Sequence, residues 1–289
     1  MVEQRSVGVV GCGFVGKAAC LLRNPDVRVL AYDISPDARS PPWATLQDAA
    51  NSDVVMIAVP TPMDPTTGAA DVSIVEKVVS DVRALNTDAL ILVRSTVPPG
   101  TCERLGVCFM PEFLTEASPD ADFRSTPNWI IGVPTGLDRA PVETLLSPIF
   151  NLAREHGCIE SCRITWMGST EAELVKYFRN TFLATKVAFC NELSSLCRAY
   201  GVEYETVRGA AAEDKRIGPA HTSVPGPDGR CGYGGTCFPK DIHGLRAVFR
   251  EAGVPCPLLD ASAHRNEEID RPERDWLQDV GRAVAAAKD

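Results

Sequence analysis

A cysteine set among glycines just ahead of a helix is a setting for a nucleophilic thiolate, and residues 232–241, GYGGTCFPKD, supply one. Proline is favoured at the first helical position because it has no N–H to leave unpaired, so Pro239 predicts a helix start and puts Cys237 just outside it. The unpaired N–H groups and the positive end of the helix dipole there favour a negative charge. Four residues on, Asp241 falls in the first turn, near enough to hold a proton or a water. Gly234 and its neighbouring glycines let backbone or substrate approach closely. A lone cysteine beside a glycine loop is more often a packing residue. The start of the chain changes that reading.

Residues 6–10 read as a short apolar strand, followed by the glycine turn GCGFVG at 11–16 and a helical stretch from Lys17. Strand, glycine turn and helix in this order make a dinucleotide site. Gly11 would supply the tight turn, Gly13 the access for a pyrophosphate and Gly16 the close helix packing, with Phe14 and Val15 of the same turn counted among the cofactor-binding residues and the phosphates on the helix N-terminus. A second strand, 28–32, ends in Asp33, whose carboxylate can accept hydrogen bonds from a ribose diol and would repel a 2′-phosphate. NAD is therefore expected over NADP. Apolar runs at 53–59 and 89–93 flank an amphipathic stretch at 71–85. The whole predicts an α/β fold, a Rossmann-like doubly wound parallel sheet. Ligands gather at strand ends in such sheets, which singles out Pro60 and Thr61, then Thr96, then Glu112 and Phe113.

A helix of about thirty residues is expected at 170–200, with Leu174, Phe178, Phe182, Phe189, Leu193 and Leu196 at helical spacing, and is read as a central packing element. Lys176 and Asn180, four apart, share one of its faces. The domains are expected at 1–167, the NAD-binding Rossmann-like domain, and 168–289, an all-helical central domain for catalysis and dimerisation. A loop at 218–235 leads directly to Cys237 and is read as mobile enough to close over a substrate.

Bulk properties narrow the function. A net charge of −9 and a pI near 5.1, with no stripe of lysine and arginine, argue against a nucleic-acid partner. No run approaches the roughly 18 apolar residues of a membrane span, so no membrane partner is expected and a cytoplasmic location is the default. The eleven cysteines are an odd number scattered through the chain, not a secreted disulfide pattern. Cys158 and Cys162 lack the second pair or spaced histidines of a zinc site, so no metal is expected.

Taken together, the motifs resemble the UDP-glucose/GDP-mannose dehydrogenase family nearly from end to end: GCGFVG at 11–16, VPTP at 59–62, RSTVPPGT at 94–101, MPEFLTE at 110–116, ELVKYFRNTFLATK at 173–186 and the cysteine decapeptide. The resemblance implies oxidation of a nucleotide-sugar primary alcohol, UDP-glucose first, to the uronic acid with two NAD and one water. It implies that Asp241, with Thr96, positions the water that takes the hydroxyl proton, and that Cys237 carries a thiohemiacetal and then a thioester. Lys176 and Asn180 would steady the C6 oxygen. Glu116 would assist thioester hydrolysis, with Glu112, Phe113 and Leu114 in the same substrate-facing segment and Gly234 beside the nucleophile. Arg216 would reach a neighbouring subunit's sugar in a homodimer packed through the helical domain.

Members of the family normally continue into a third α/β domain that holds much of the nucleotide. This chain ends instead after an alanine-rich stretch expected to be helical. Two other readings stay open: a β-hydroxyacid dehydrogenase of the 3-hydroxyisobutyrate type, which has no use for Cys237, and an NAD-binding module without catalysis.

Overall fold

Runs such as VGVV and VVMI carry no polar side chain on successive residues, the pattern of strands covered on both faces, and they lie inside a seven-stranded sheet. The computed structural model describes residues 4–286. The strands are β1 (Arg5–Val10), β2 (Val27–Tyr32), β3 (Val54–Ile57), β4 (Leu90–Val93), β5 (Cys108–Phe109), β6 (Trp129–Val133) and β7 (Ile164–Gly168), in the order β2-β1-β3-β4-β5-β6-β7. The helices are α1 (Phe14–Ala19), α2 (Leu46–Ala50), α3 (Ser73–Leu85), α4 (Thr101–Leu105), α5 (Pro119–Arg124), α6 (Arg139–Glu155), α7 (Ser169–Ala199), α8 (Tyr204–Ala212), α9 (Phe238–Glu251) and α10 (Pro257–Arg265). The sheet is parallel except between β5 and β6, where Phe109 pairs antiparallel with Gly132. The expected Rossmann-like parallel sheet is therefore present, with one antiparallel junction.

The chain divides into two units, one formed by the described residues up to Thr61 with Val72–Lys176, the other by Pro62–Asp71 with the described residues from Tyr177 onward. The division between these compact units runs within α7. The first unit buries a layer on each sheet face. Val7, Val9, Met56, Phe123, Trp129 and Phe150 fill one, and Val10, Ile57, Val79, Val93 and Phe109 the other. Helix α3 shows why: Val75, Val79 and Val82 recur at helical spacing and are buried.

In the second unit α9 packs Ile242 among Ala184, Ala188, Tyr233 and Ala263. A small satellite of Met63, Trp276, Ala283 and Val284 ties the 62–71 loop to the end of the described chain. Met63 donates its N–H to the Ala283 carbonyl at 2.9 Å and accepts from Ala285 at 2.8 Å. Over the described residues the alanine-rich stretch is not helical: 281–283 form a turn, and Val284 bridges to Met63.

The long helix forms as expected, at 31 residues, about 46 Å. Its apolar stripe is turned the other way. Leu174, Phe178, Phe182, Phe189 and Leu196 are exposed, Phe178 at 69%. The buried face carries Glu173, Lys176, Tyr177, Asn180, Thr181, Ala184 and Asn191. The loop at 218–235, expected to be mobile, is bonded along its length. Lys186 Nζ donates to the Ala220 carbonyl at 2.7 Å, Tyr204 Oη to the Thr222 carbonyl at 2.8 Å, and Arg271 Nη2 to Asp228 Oδ2 at 2.7 Å.

Candidate active site

The three glycines of the turn between β1 and α1 differ in their surroundings. Gly11 has φ +91°, and a Cβ there would sit 2.5 Å from the Ala58 carbonyl oxygen. A Cβ on Gly16 would lie 1.9 Å from the Gly11 oxygen, so that helix and turn can meet only through glycine. Gly13 is exposed with nothing within 4 Å, leaving open space in front of the first turn, where Phe14 and Val15 are half-buried. Asp33, at the end of β2, accepts from Cys12 N at 2.7 Å through Oδ2 and from Ser35 N at 2.8 Å through Oδ1. Its carboxylate is thereby fixed at the turn. The open glycine, the backbone N–H groups and the placed carboxylate together fit a dinucleotide.

Behind β3, Pro60 is exposed and Thr61 buried. Behind β4, Ser95 Oγ donates to the Val59 carbonyl at 2.6 Å, and Thr96 is 8% exposed. The segment after β5 carries Glu112, whose carboxylate is 6% exposed. Lys176 Nζ, 3% exposed, donates to Glu112 Oε1 at 2.6 Å and to the Glu112 carbonyl at 2.7 Å. Leu114 N donates to the other oxygen at 2.9 Å, and the Phe113 ring lies 5.6 Å from the ammonium. Glu116 lies farther along the same segment, on the surface.

Two partners in this unit were not singled out from the sequence. Arg94 is 1% exposed against Phe123. Burial lowers its pKa to about 10 against the opposing pull of Glu112, and its Nε and Nη1 have no hydrogen-bond partner. Glu173 is fully buried and caps α4, accepting from Gly100 N at 2.5 Å and Cys102 N at 2.7 Å. Both lie inside quoted motifs, but neither spacing nor residue type reveals their partners.

In the second unit Cys237 is half-buried at the N-cap of α9, which begins at Phe238, so Pro239 takes the second helical position and not the first. Asp241 N donates to the Cys237 carbonyl at 2.9 Å, the first bond of the helix. The Asp241 carboxylate, 1% exposed, accepts from Asn180 Nδ2 at 2.6 Å and from Lys240 Nζ at 2.7 Å. Lys240, next in sequence within the decapeptide, was missed as its partner. All eleven cysteines are reduced. Burial pushes the thiol of Cys12 up to about 12 and raises those of Cys102 and Cys108, which marks these three as packing residues.

A Cβ on Gly234 would lie 2.4 Å from the Arg271 guanidinium carbon, so any larger residue there would have to displace that side chain. Arg216 is 89% exposed and forks onto Asp214, with Nη2 to Oδ2 at 2.5 Å. It edges an apolar cavity of about 300 Å³ lined by Phe182, Phe189, Leu193, Val207 and Ile217. Among the described residues no three His, Cys, Asp or Glu side chains are grouped to hold a metal ion, and no helix is long and apolar enough to cross a membrane.

Residues 44–150 match the model for the UDP-glucose/GDP-mannose dehydrogenase family, NAD binding domain, and residues 170–268 match the central domain of the same family. The first match makes NAD the cofactor of the first unit. A UDP-glucose 6-dehydrogenase of Pseudomonas aeruginosa is 39% identical over 235 residues, 75% of this chain and 49% of that protein. One of Rickettsia bellii is 32% identical over 234 residues, 77% of this chain and 51% of that protein. The chain spans about half the length of the curated relatives it matches. Among solved structures, a UDP-glucose dehydrogenase from Pyrobaculum islandicum superposes with TM-score 0.77 at 29% identity, covering 92% of this chain and 68% of that one. A Mycobacterium tuberculosis 3-hydroxyisobutyrate dehydrogenase, at TM-score 0.64 and 16% identity, covers 90% and 92% and shares the fold alone. With two domain models of one family matching most of its length in the family's own order, the chain belongs to the UDP-glucose/GDP-mannose dehydrogenase family.

Proposed function

We propose that the protein oxidises a nucleotide-sugar primary alcohol to the uronic acid by four electrons, with UDP-glucose as the first substrate to test. The observation that supports this reading best is the half-buried Cys237 capping α9, with Asp241 one turn on and doubly hydrogen-bonded. Bound NAD+ supplies the hydride acceptor for each of the two oxidations. In the first, hydride leaves C6 while an ordered water, held by Asp241 and Thr96, takes the hydroxyl proton. Asn180 Nδ2 and Lys240 Nζ donate to the two Asp241 oxygens and fix the orientation of the side chain for that task. The aldehyde carbon is then attacked by the Cys237 thiolate. The resulting thiohemiacetal loses a second hydride to give a thioester, and water cleaves the C–S bond to return the thiolate and the carboxylate product.

Lys176 and Asn180 steady negative charge on the C6 oxygen. Glu112 anchors Lys176 for that task, and Glu116 assists the hydrolytic water. Phe113, Leu114 and Gly234 line the substrate, and Arg216 serves a neighbouring subunit. The exposed stripe of α7 is covered by a second copy in a homodimer, and the reduced cysteines agree with a cytoplasmic location.

Incubation with UDP-glucose and NAD+ tests the reading: two NADH per sugar acid are expected, whereas one NADH per product would favour the hydroxyacid alternative. Cys237→Ser is expected to abolish turnover to the acid while leaving a trace of the first oxidation. A variant running at the wild-type rate would sink covalent catalysis.

A further inference from the structure

We propose that Asn266 is a positioning residue for the Cys237 nucleophile, its carboxamide clamping both backbone groups of Tyr233, with Asn191 as a second grip one residue earlier. Asn266 is 1% exposed and opens the π-helical turn that follows α10. Its Oδ1 accepts from Tyr233 N at 2.8 Å and its Nδ2 donates to the Tyr233 carbonyl at 2.9 Å. A side-chain amide offers the same donor and acceptor as a peptide, so Asn266 acts as a one-residue strand laid beside the loop. Asn191, on α7 and 4% exposed, accepts from Gly232 N at 3.1 Å while its Nδ2 is tied to the Val187 carbonyl at 2.9 Å.

These grips fall where the chain most needs them. Gly232 and Gly235 sit at φ +68° and +70°, in the region that costs glycine least, and a glycine-rich segment left to itself has the most backbone freedom to lose. The fit is close on both sides. A Cβ on Gly232 would lie 2.3 Å from Asn266 Oδ1, and one on Gly234 would strike Arg271, which is itself held by Asp228 and Asp275. Tyr233 is 5% exposed and its ring meets Phe238, the first residue of α9, edge-on at 6.4 Å. The two asparagines therefore set the path by which the backbone enters Thr236 and Cys237. A nucleophile misplaced by about 1 Å can lose on the order of a hundredfold in rate.

The inference rests on Cys237 being the nucleophile, and its test has a readout that needs no turnover. With the full chain, Cys237 is alkylated by iodoacetamide and followed by mass spectrometry of its peptide, with half-buried Cys256 in the same unit as internal reference. In Asn266→Ala, Cys237 is expected to react at least about threefold faster relative to Cys256, while kcat falls about 10- to 100-fold and KM for NAD+ stays within about twofold. Asn191→Ala, which suits its helix and removes one bond of the three, is expected to shift both measures the same way by about two- to threefold and stands in if Asn266→Ala does not fold. Loss of stability alone would move both cysteines together and overturn the proposal. So would a Cys237 rate unchanged or slower in the folded variants. If the wild type fails to oxidise nucleotide sugars, the proposed function fails while the alkylation ratio still decides the clamp.

Discussion

Lys176→Met removes a charge from a buried pair while keeping a side chain of similar length. It leaves the Glu112 carboxylate 6% exposed with its Oε1 partner gone. Deleting one member of a buried pair typically costs about 3–5 kcal/mol, because the other charge is stranded out of water. Here the Leu114 N–H still serves Oε2 and Arg94 still opposes the charge, which puts the loss near the low end, about 3 kcal/mol. For a unit of this size that is a fall of roughly 6–12 °C in the melting step of the first unit. The assay is a thermal and urea series on wild type, Lys176→Met, Glu112→Gln and the double variant. The double is expected to recover at least about 2 kcal/mol relative to Lys176→Met, since no stranded carboxylate remains. Turnover is expected to stay low in the double, because the ammonium itself is missing. A Lys176→Met protein that melts within about 2 °C of wild type, or a double variant no more stable than that single one, refutes the stranded-charge account.

Asp33→Ala is expected to relax the rejection of NADP+ and to loosen the turn through the lost Cys12 bond; an unchanged NAD+/NADP+ preference in kcat/KM removes Asp33 from ribose recognition. Burial raises the pKa of Glu173, so the folded state holds that proton more tightly than the unfolded chain does. Its contribution to stability is accordingly present below the ordinary carboxylate range and declines as pH climbs through the raised value. Glu173→Gln should flatten that slope in denaturation measured between pH 4 and 7, and cost about 1–3 kcal/mol at neutral pH because one amide oxygen cannot serve both Gly100 and Cys102. A slope identical to wild type would assign the dependence elsewhere. Phe178→Glu, on the exposed stripe of α7, is expected to convert a dimer to monomer by light scattering with little change in melting. An unaltered mass would clear that face of any role in assembly.

Much of the site was legible because its parts are local. The glycine turn, the acidic end of the second strand and the cysteine at a helix start are short-range patterns, and each is governed by backbone sterics or by N–H groups within a few residues. Periodicity likewise predicted α7 almost to its ends. It did not reveal which face of that helix is buried. Apolar residues at helical spacing state only that they share a side, and here the protein interior takes the side with Glu173, Lys176 and Asn180.

Partnerships across the chain were beyond reach in the same way. Lys176 meets Glu112 from 64 residues away, Asn180 meets Asp241 from 61, and Asn266 grips Tyr233 from 33. The sequence by itself determined which groups are available for chemistry and which helices and turns hold them. The tertiary structure alone decided which buried charge faces which, because the energy of a desolvated ion depends on the atoms within a few ångströms of it, and those neighbours are assembled only when the chain folds.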